Sequence, residues 1–138
     1  MDIHALYRGR TCRLFCYNNC MRVLVVDDEQ LVRWFLERAL KKWGHEVVTA
    51  DSSRVALTHF ETSSFDVMFT DLRMPEENGA NLIEKIKDEN SKLKIVVCSA
   101  FVTNEMAEDF KRKGILTIKK PFRLSELEET LKRCYPQE

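Results

Sequence analysis

Four short apolar runs in this chain each stop at a polar residue of a different chemical kind, and helix-like patterns fill the intervals between them. Arg22 to Val26 runs into Asp27, Asp28 and Glu29; Val67 to Thr70 runs into Asp71; Ile95 to Cys98 runs into Ser99; Ile115 to Ile118 runs into Lys119, Lys120 and Pro121. Glu46 to Ala50 supplies a further strand between the first two. Strands that alternate with helices over short connections build a parallel sheet, with right-handed crossovers and helices on both faces. The carboxyl ends of such strands converge on one crevice, so the four endings belong to one place.

The intervals carry the helices. Val32, Leu36, Ala39, Leu40 and Trp43 form an apolar stripe on the first, and Gly44 supplies its left-handed stop. Asp51, Ser52 and Ser53 offer N-caps to a second that turns Ala56, Leu57 and Phe60 inward. After a loop through Pro75 and Gly79, Leu82, Ile83 and Ile86 face the core from a third. Asn104 is expected to cap a fourth, with Met106, Ala107 and Phe110 inside and Gly114 as its release. Ser125 and Glu128 have the spacing of a capping box, and Leu124, Leu127, Leu131 and Cys134 recur at helical intervals on a fifth. The expected fold is α/β: a flavodoxin-like, doubly wound, five-stranded parallel sheet with five helices. Its strand order, 2-1-3-4-5, follows from the general rule for such folds rather than from the residues.

At 138 residues the chain has room for one domain with a core of its own, without disulfide or metal staples. Lys plus Arg and Asp plus Glu both number 22, so net charge makes no case for nucleic acid or an anionic membrane as a partner. No apolar run approaches the roughly 20 residues of a membrane helix. Of the five cysteines, Cys12, Cys16 and Cys20 lie near the start, while Cys98 and Cys134 sit inside the periodic region. An odd number without a secretory signal predicts reduced thiols and a cytoplasmic location. The spacing of the first three could align them on one helix face, but no His or carboxylate completes a metal-ligand pattern. Residues 1–20 mix Arg8, Arg10 and Arg13 with Cys and Tyr and show no period. They are expected to be an N-terminal extension, of leader, upstream-translated or expression-derived origin, before a domain spanning 21–136. An arm that docks on the domain or pairs two chains is the rival reading.

The strand endings gather carboxylates, a hydroxyl and an ammonium. Asp27, Asp28 and Asp71 would repel one another in a shared crevice, raising at least one pKa unless a cation intervenes. Mg²⁺ answers that need: it takes oxygen ligands in octahedral geometry and keeps several waters, so two carboxylates, a backbone carbonyl and water suffice. Any one of these acids is ordinary as a turn cap, but three at the ends of two buried strands are not explained that way. Phosphoryl transfer requires a nucleophile, neutralised equatorial oxygens and alignment of donor with acceptor. Asp71 is the candidate nucleophile, with Lys120 and Ser99 as contacts for phosphoryl oxygens. Lys119 competes with Lys120 for this task. Strand alternation and the extended conformation imposed before Pro121 favour Lys120.

Four motifs, VLVVDDE at Val23 to Glu29, FTDLRMP at Phe69 to Pro75, CSA at Cys98 to Ala100 and KKPF at Lys119 to Phe122, stand in a familiar order and spacing. Through them residues 21–135 resemble the receiver domain of bacterial two-component response regulators. Arg33 to Val47 and FTDLRMP are also similar to receivers attached to enhancer-binding transcription activators. The resemblance implies that Asp71 is the phosphoacceptor, Asp28 a direct Mg²⁺ ligand, Asp27 a ligand acting partly through water, and Arg73 a ligand through its carbonyl. It makes Ser99 the switch hydroxyl, Lys120 the phosphate-contacting lysine, and a sensor histidine kinase the phosphodonor. Such a domain catalyses its own aspartyl phosphorylation and dephosphorylation. It then offers the surface of helix four, strand five and helix five to an output domain, a downstream protein or a second copy in a phosphorylation-dependent dimer. One position departs from the pattern: the family's aromatic three residues before the lysine is Thr117 here. Phe101 is the candidate substitute, against a plain loop-packing role. Arg73 places a long cation beside the site, against plain exposure to solvent.

Other readings share parts of this pattern. A phosphatase of the haloacid dehalogenase type needs a second Asp two residues after its nucleophile; Arg73 stands there after Asp71, and Glu29 after Asp27. A flavodoxin must cradle a phosphate in its first loop, which Asp27, Asp28 and Glu29 would repel. A constitutive interaction module, not regulated by phosphorylation, is the alternative reading, and the complete acidic set argues against it.

Overall fold

The computed structural model describes residues 20–73, 79–89 and 92–134. The expectations for residues 1–19, for the loop through Pro75 and for Pro136 lie outside them. Strands β1 (Arg22–Val26), β2 (Glu46–Ala50), β3 (Val67–Thr70), β4 (Lys94–Ser99) and β5 (Leu116–Lys119) alternate with helices. These are α1 (Gln30–Lys42), α2 (Ser53–Thr62), α3 (Gly79–Glu89), α4 (Asn104–Arg112) and α5 (Leu124–Cys134). Every neighbouring strand pair is parallel, in the expected order β2-β1-β3-β4-β5.

The period-two alternation of β1 divides the core into two layers. Val23 and Val25 enter one cluster with Leu36 and Leu40 of α1 and Leu127 and Leu131 of α5. Leu24 and Val26 enter the other, with Ala56 of α2, Leu82 and Ile86 of α3 and Phe110 of α4. Helices α1 and α5 therefore cover one face of the sheet, and α2, α3 and α4 the other. Because both faces are covered, β1 reads as an unbroken apolar run in which only Arg22 is not fully buried. Phe69 at the centre of β3 is 1% exposed, and cutting it to Ala would cost about 3–5 kcal/mol.

Gly44 (φ 92°) and Gly114 (φ 78°) turn the chain through the left-handed region after α1 and α4, as expected. The Ser52 hydroxyl caps α2, accepting from the Val55 amide at 3.3 Å. Other local expectations need correction. Thr103 caps α4 in place of Asn104: its Oγ1 accepts from the Met106 amide at 3.1 Å, and Asn104 is the first helical residue. Both are cap-forming types, and the one whose oxygen meets a free amide three residues on takes the position. Helix α5 starts at Leu124, so Ser125 lies inside it, and Glu126 accepts from the Arg123 amide at 3.2 Å instead of a Ser125 and Glu128 box forming. Leu124 is 51% exposed rather than part of the buried stripe, lining a surface groove with Trp34 and Phe35 of α1. Strand β5 begins one residue later than expected, at Leu116.

Cys98 and Cys134 are buried free thiols. Burial pushes Cys134 up to about 11 and Cys98 well above the ordinary thiol range, which leaves both protonated and inert at neutral pH. Cys20 is disulfide-bonded, against the expectation of reduced thiols; an odd cysteine count excludes only complete pairing. Among the described residues no helix is long and apolar enough to cross a membrane.

Candidate functional site

The register of β1 and β3 pairs Val26 with Thr70, so the residues that follow, Asp27 and Asp71, emerge side by side at the carboxyl edge of the sheet. Backbone bonds carry the ladder one step beyond the strands. The Asp27 amide donates to the Ala50 carbonyl and the Asp71 amide to the Val26 carbonyl, both at 3.1 Å. This fixes both side chains in near-complete burial, at 1% and 5% exposure. On the other side of β3, Ser99 of β4 pairs with Lys119, and the Lys120 amide donates to the Ser99 carbonyl at 3.0 Å. Lys119 is exposed, whereas the Lys120 side chain is 12% exposed and turned into the site, and the Lys120 to Pro121 peptide bond is cis.

The ammonium of Lys120 lies 2.7 Å from Asp27 Oδ2, 3.0 Å from Asp71 Oδ2 and 3.4 Å from Glu29 Oε1. Desolvation alone would lower its pKa, but the hydrogen bonds it donates to Asp27 and Asp71 outweigh burial and hold it raised. Asp27 is raised as well: burial dominates, Lys120 and the Glu29 amide oppose it, and the Asp71 charge adds to the rise. One cation is therefore shared among more carboxylates than it can neutralise. Ligand oxygens of Asp27, Asp28, Glu29 and Asp71 all lie within 4.8 Å of one another, those of Asp28 and Glu29 on exposed residues. Hard anionic oxygens in this number, half of them open to water, fit a small divalent cation that keeps part of its hydration shell, as Mg²⁺ does.

Asp71 is gripped at both oxygens, since the Arg73 amide donates to Oδ1 at 3.1 Å while Lys120 holds Oδ2. Asp27 Oδ1 accepts from the Glu29 amide at 2.9 Å. Ser99 is 1% exposed, and its Oγ accepts from the Phe101 amide at 3.3 Å. The Arg73 guanidinium does not simply lie in solvent: its central carbon is 4.3 Å from the centroid of the Phe101 ring. Thr117 is half-buried on β5. Asp27, Asp28, Asp71 and Lys120 thus come together, with Ser99 and Arg73 tied to the same edge by backbone bonds.

Two contributors are not singled out by the sequence pattern. Glu29 belongs to the acidic run, yet its contact with Lys120 depends on how the first turn of α1 leaves the strand. Arg33 donates from Nη1 to the Asp27 carbonyl at 2.6 Å. Its place in the first turn of α1, with a stem long enough to reach back to the strand end, is the signal that could have found it.

Known proteins resemble the stretch of chain that carries these residues. The family model for the response regulator receiver domain matches residues 23–132. The DNA-binding transcriptional regulator NtrC of Azospirillum brasilense is 36% identical over 113 residues, which is 81% of this chain and 24% of that protein. The chemotaxis protein CheY of Thermotoga maritima is 34% identical over 114 residues, 81% of this chain and 95% of that one. The solved structure of the response regulator TrrA from Thermotoga maritima, in complex with Mg²⁺ and BeF, matches with a TM-score of 0.72 at 29% identity, covering 82% of this chain and 97% of that chain. The chain spans about a quarter of the length of the NtrC, AtoC and ZraR relatives it matches.

Proposed function

The chain belongs to the receiver-domain family of two-component response regulators, and from that premise we propose that it takes a phosphoryl group from a sensor histidine kinase onto Asp71 with Mg²⁺. The observation that carries this reading is the Lys120 ammonium lodged between the buried carboxylates of Asp27 and Asp71, beside an acidic surplus that it does not balance.

In this reading Asp28, Asp71, the Arg73 carbonyl and, partly through water, Asp27 would hold the Mg²⁺. When bound, the cation offsets negative charge on the transferring phosphoryl group. The residues of the chain do the rest. A carboxylate oxygen of Asp71 forms the new bond to phosphorus as the bond to the donor's histidine nitrogen breaks, and that nitrogen keeps the electron pair. The Arg73 amide orients the Asp71 carboxylate before the donor arrives. Lys120 is already beside Asp71, and its raised pKa keeps it a fixed cation at neutral pH for the incoming oxygens. Ser99 offers its hydroxyl to a phosphoryl oxygen. Water attack on the same phosphorus later releases phosphate and restores the carboxylate.

Phosphorylation then biases a two-state equilibrium. The surface of α4, β5 and α5 repacks for an output domain, a downstream protein or a second copy of the chain. Exposed Trp34 and Phe35 on α1, with Leu124 of α5, line an apolar groove that suits the approach of a protein donor. The domain doing this spans 21–136, with 1–20 as an extension, and works in the cytoplasm, where such a kinase presents its phosphohistidine. Acetyl phosphate with Mg²⁺ tests the proposal through intact mass. The expected result is the gain of one phosphoryl group, abolished by chelator and by Asp71→Asn; no gain, or a gain that survives that substitution, contradicts it.

A further inference from the structure

Two loops meet over the site through side chains that the mechanism above leaves unused. Arg73 follows β3, Phe101 follows β4, and the guanidinium stacks on the ring at 4.3 Å. Each partner is also tied by its backbone to a group that phosphorylation involves. The Arg73 amide donates to Asp71 Oδ1 at 3.1 Å, and the Phe101 amide donates to Ser99 Oγ at 3.3 Å. Phe101 is otherwise 62% exposed. The contacts close a circuit from Asp71 through Arg73 and Phe101 to Ser99.

On the reading that Asp71 is phosphorylated, on which this inference rests, we propose that Arg73 is a latch on Phe101. It stacks on the ring while Asp71 is unmodified, and leaves the ring for the aspartyl phosphate, releasing Phe101 to be read by a partner protein.

Magnitudes favour the exchange. A cation over an aromatic ring at an exposed site shifts an equilibrium roughly two- to fivefold. A charge-assisted hydrogen bond to an anionic oxygen is worth roughly tenfold or more, and the planar guanidinium fork matches phosphate geometry. The Arg73 backbone already adjoins the Oδ1 side of Asp71, while Lys120 occupies the Oδ2 side, so the two cations approach different oxygens of the modified residue. The second tie loosens in the same event. Ser99 Oγ, which now accepts from Phe101, is the hydroxyl that a phosphoryl group recruits. The Arg73 contact therefore ends on a group with a stronger use elsewhere once Asp71 is modified, and the Ser99 contact breaks if its hydroxyl swings toward the phosphoryl group to donate. Thr117 has no ring to report the change, whereas Phe101 contacts both Arg73 and Ser99.

Fluorine NMR of the full chain labelled with 4-fluorophenylalanine reads this directly, with Phe101→Leu identifying the resonance. Acetyl phosphate and Mg²⁺ are expected to shift the Phe101 signal. Arg73→Met is expected to shift it in the same direction without phosphorylation, and to remove most of the further shift on phosphorylation. Intact mass on the same samples separates the two possible failures. Absence of a phosphoryl gain overturns the phosphoacceptor reading. A full gain with an unmoved Phe101 resonance, or with one that moves as far in Arg73→Met as in the parent protein, overturns the latch.

Discussion

The two edges of the sheet carry similar kinds of residue and use them in opposite ways. At the amino edge, Arg22 pairs with Glu46 at 3.4 Å and lies 5.3 Å over the Phe65 ring, while its amide donates to Asp66 at 2.8 Å. His45 accepts the Met21 amide through Nδ1 at 3.1 Å. There Glu46 lies against the Arg22 guanidinium and Asp66 accepts the Arg22 amide, and the result is an anchored chain. At the carboxyl edge a single ammonium faces Asp27, Asp71 and Glu29, with Asp28 alongside. A surplus of buried like charge costs stability, and a fold retains it where function requires the strain. Two buried carboxylates on one ammonium set the carboxyl edge apart from the anchoring contacts of the amino edge.

Lys120→Ala should break this contrast most severely. Losing the ammonium that Asp27 and Asp71 share leaves two buried carboxylates without it, and stability in chelator should fall by about 3 kcal/mol in denaturant unfolding. Added Mg²⁺ should restore much of that loss by binding the folded state. Equal losses with and without Mg²⁺ would reduce the lysine to a structural ion pair. Asp28→Asn should act with the opposite sign, because it removes an exposed charge from an overfilled site. A gain of about 0.5–1 kcal/mol in chelator is expected, together with Mg²⁺ affinity weakened at least about tenfold in a titration. A variant that is less stable in chelator would show that the acids at this edge are balanced after all.

The amino edge should give the smallest response, and one confined to acid. Burial lowers the His45 pKa from its usual 6.5, against the attraction of Asp66. The unfolded chain therefore takes up this proton first. The His45 contribution is complete above pH 6.5 and is lost as pH falls through the lower folded pKa. His45→Asn retains an acceptor for the Met21 amide and should flatten that acid slope, itself below about 1.4 kcal/mol per pH unit, while leaving phosphoryl uptake unchanged. An unaltered slope in thermal melts across pH would remove His45 from the anchor.

The fold was legible because its two periods are clean. Val23 to Val26 divides between the two faces residue by residue, and Leu36, Leu40, Leu127 and Leu131 recur at helical spacing. The choice of Thr103 over Asn104 was not legible, since adjacent residues of one capping type differ only in which oxygen meets the Met106 amide. Leu124 has the right spacing for the stripe, but at the first residue of α5 it stands beyond the core. In the site, the convergence of Asp27, Asp28, Asp71 and Lys120 could be read from strand ends, and the inward turn of Lys120 over Lys119 from alternation. The reach of Arg33 to the Asp27 carbonyl and the stack of Arg73 on Phe101 could not, because no period fixes where a long side chain settles beside a loop.

The most direct test of the whole account is to locate the modified atom. After treatment with acetyl phosphate and Mg²⁺, borohydride reduction converts an aspartyl phosphate to homoserine, and peptide mass mapping places it in the chain. The account predicts homoserine at position 71 and nowhere else. Homoserine at 27 or 28, or an acid-stable phosphoryl group on a serine or threonine, would contradict it.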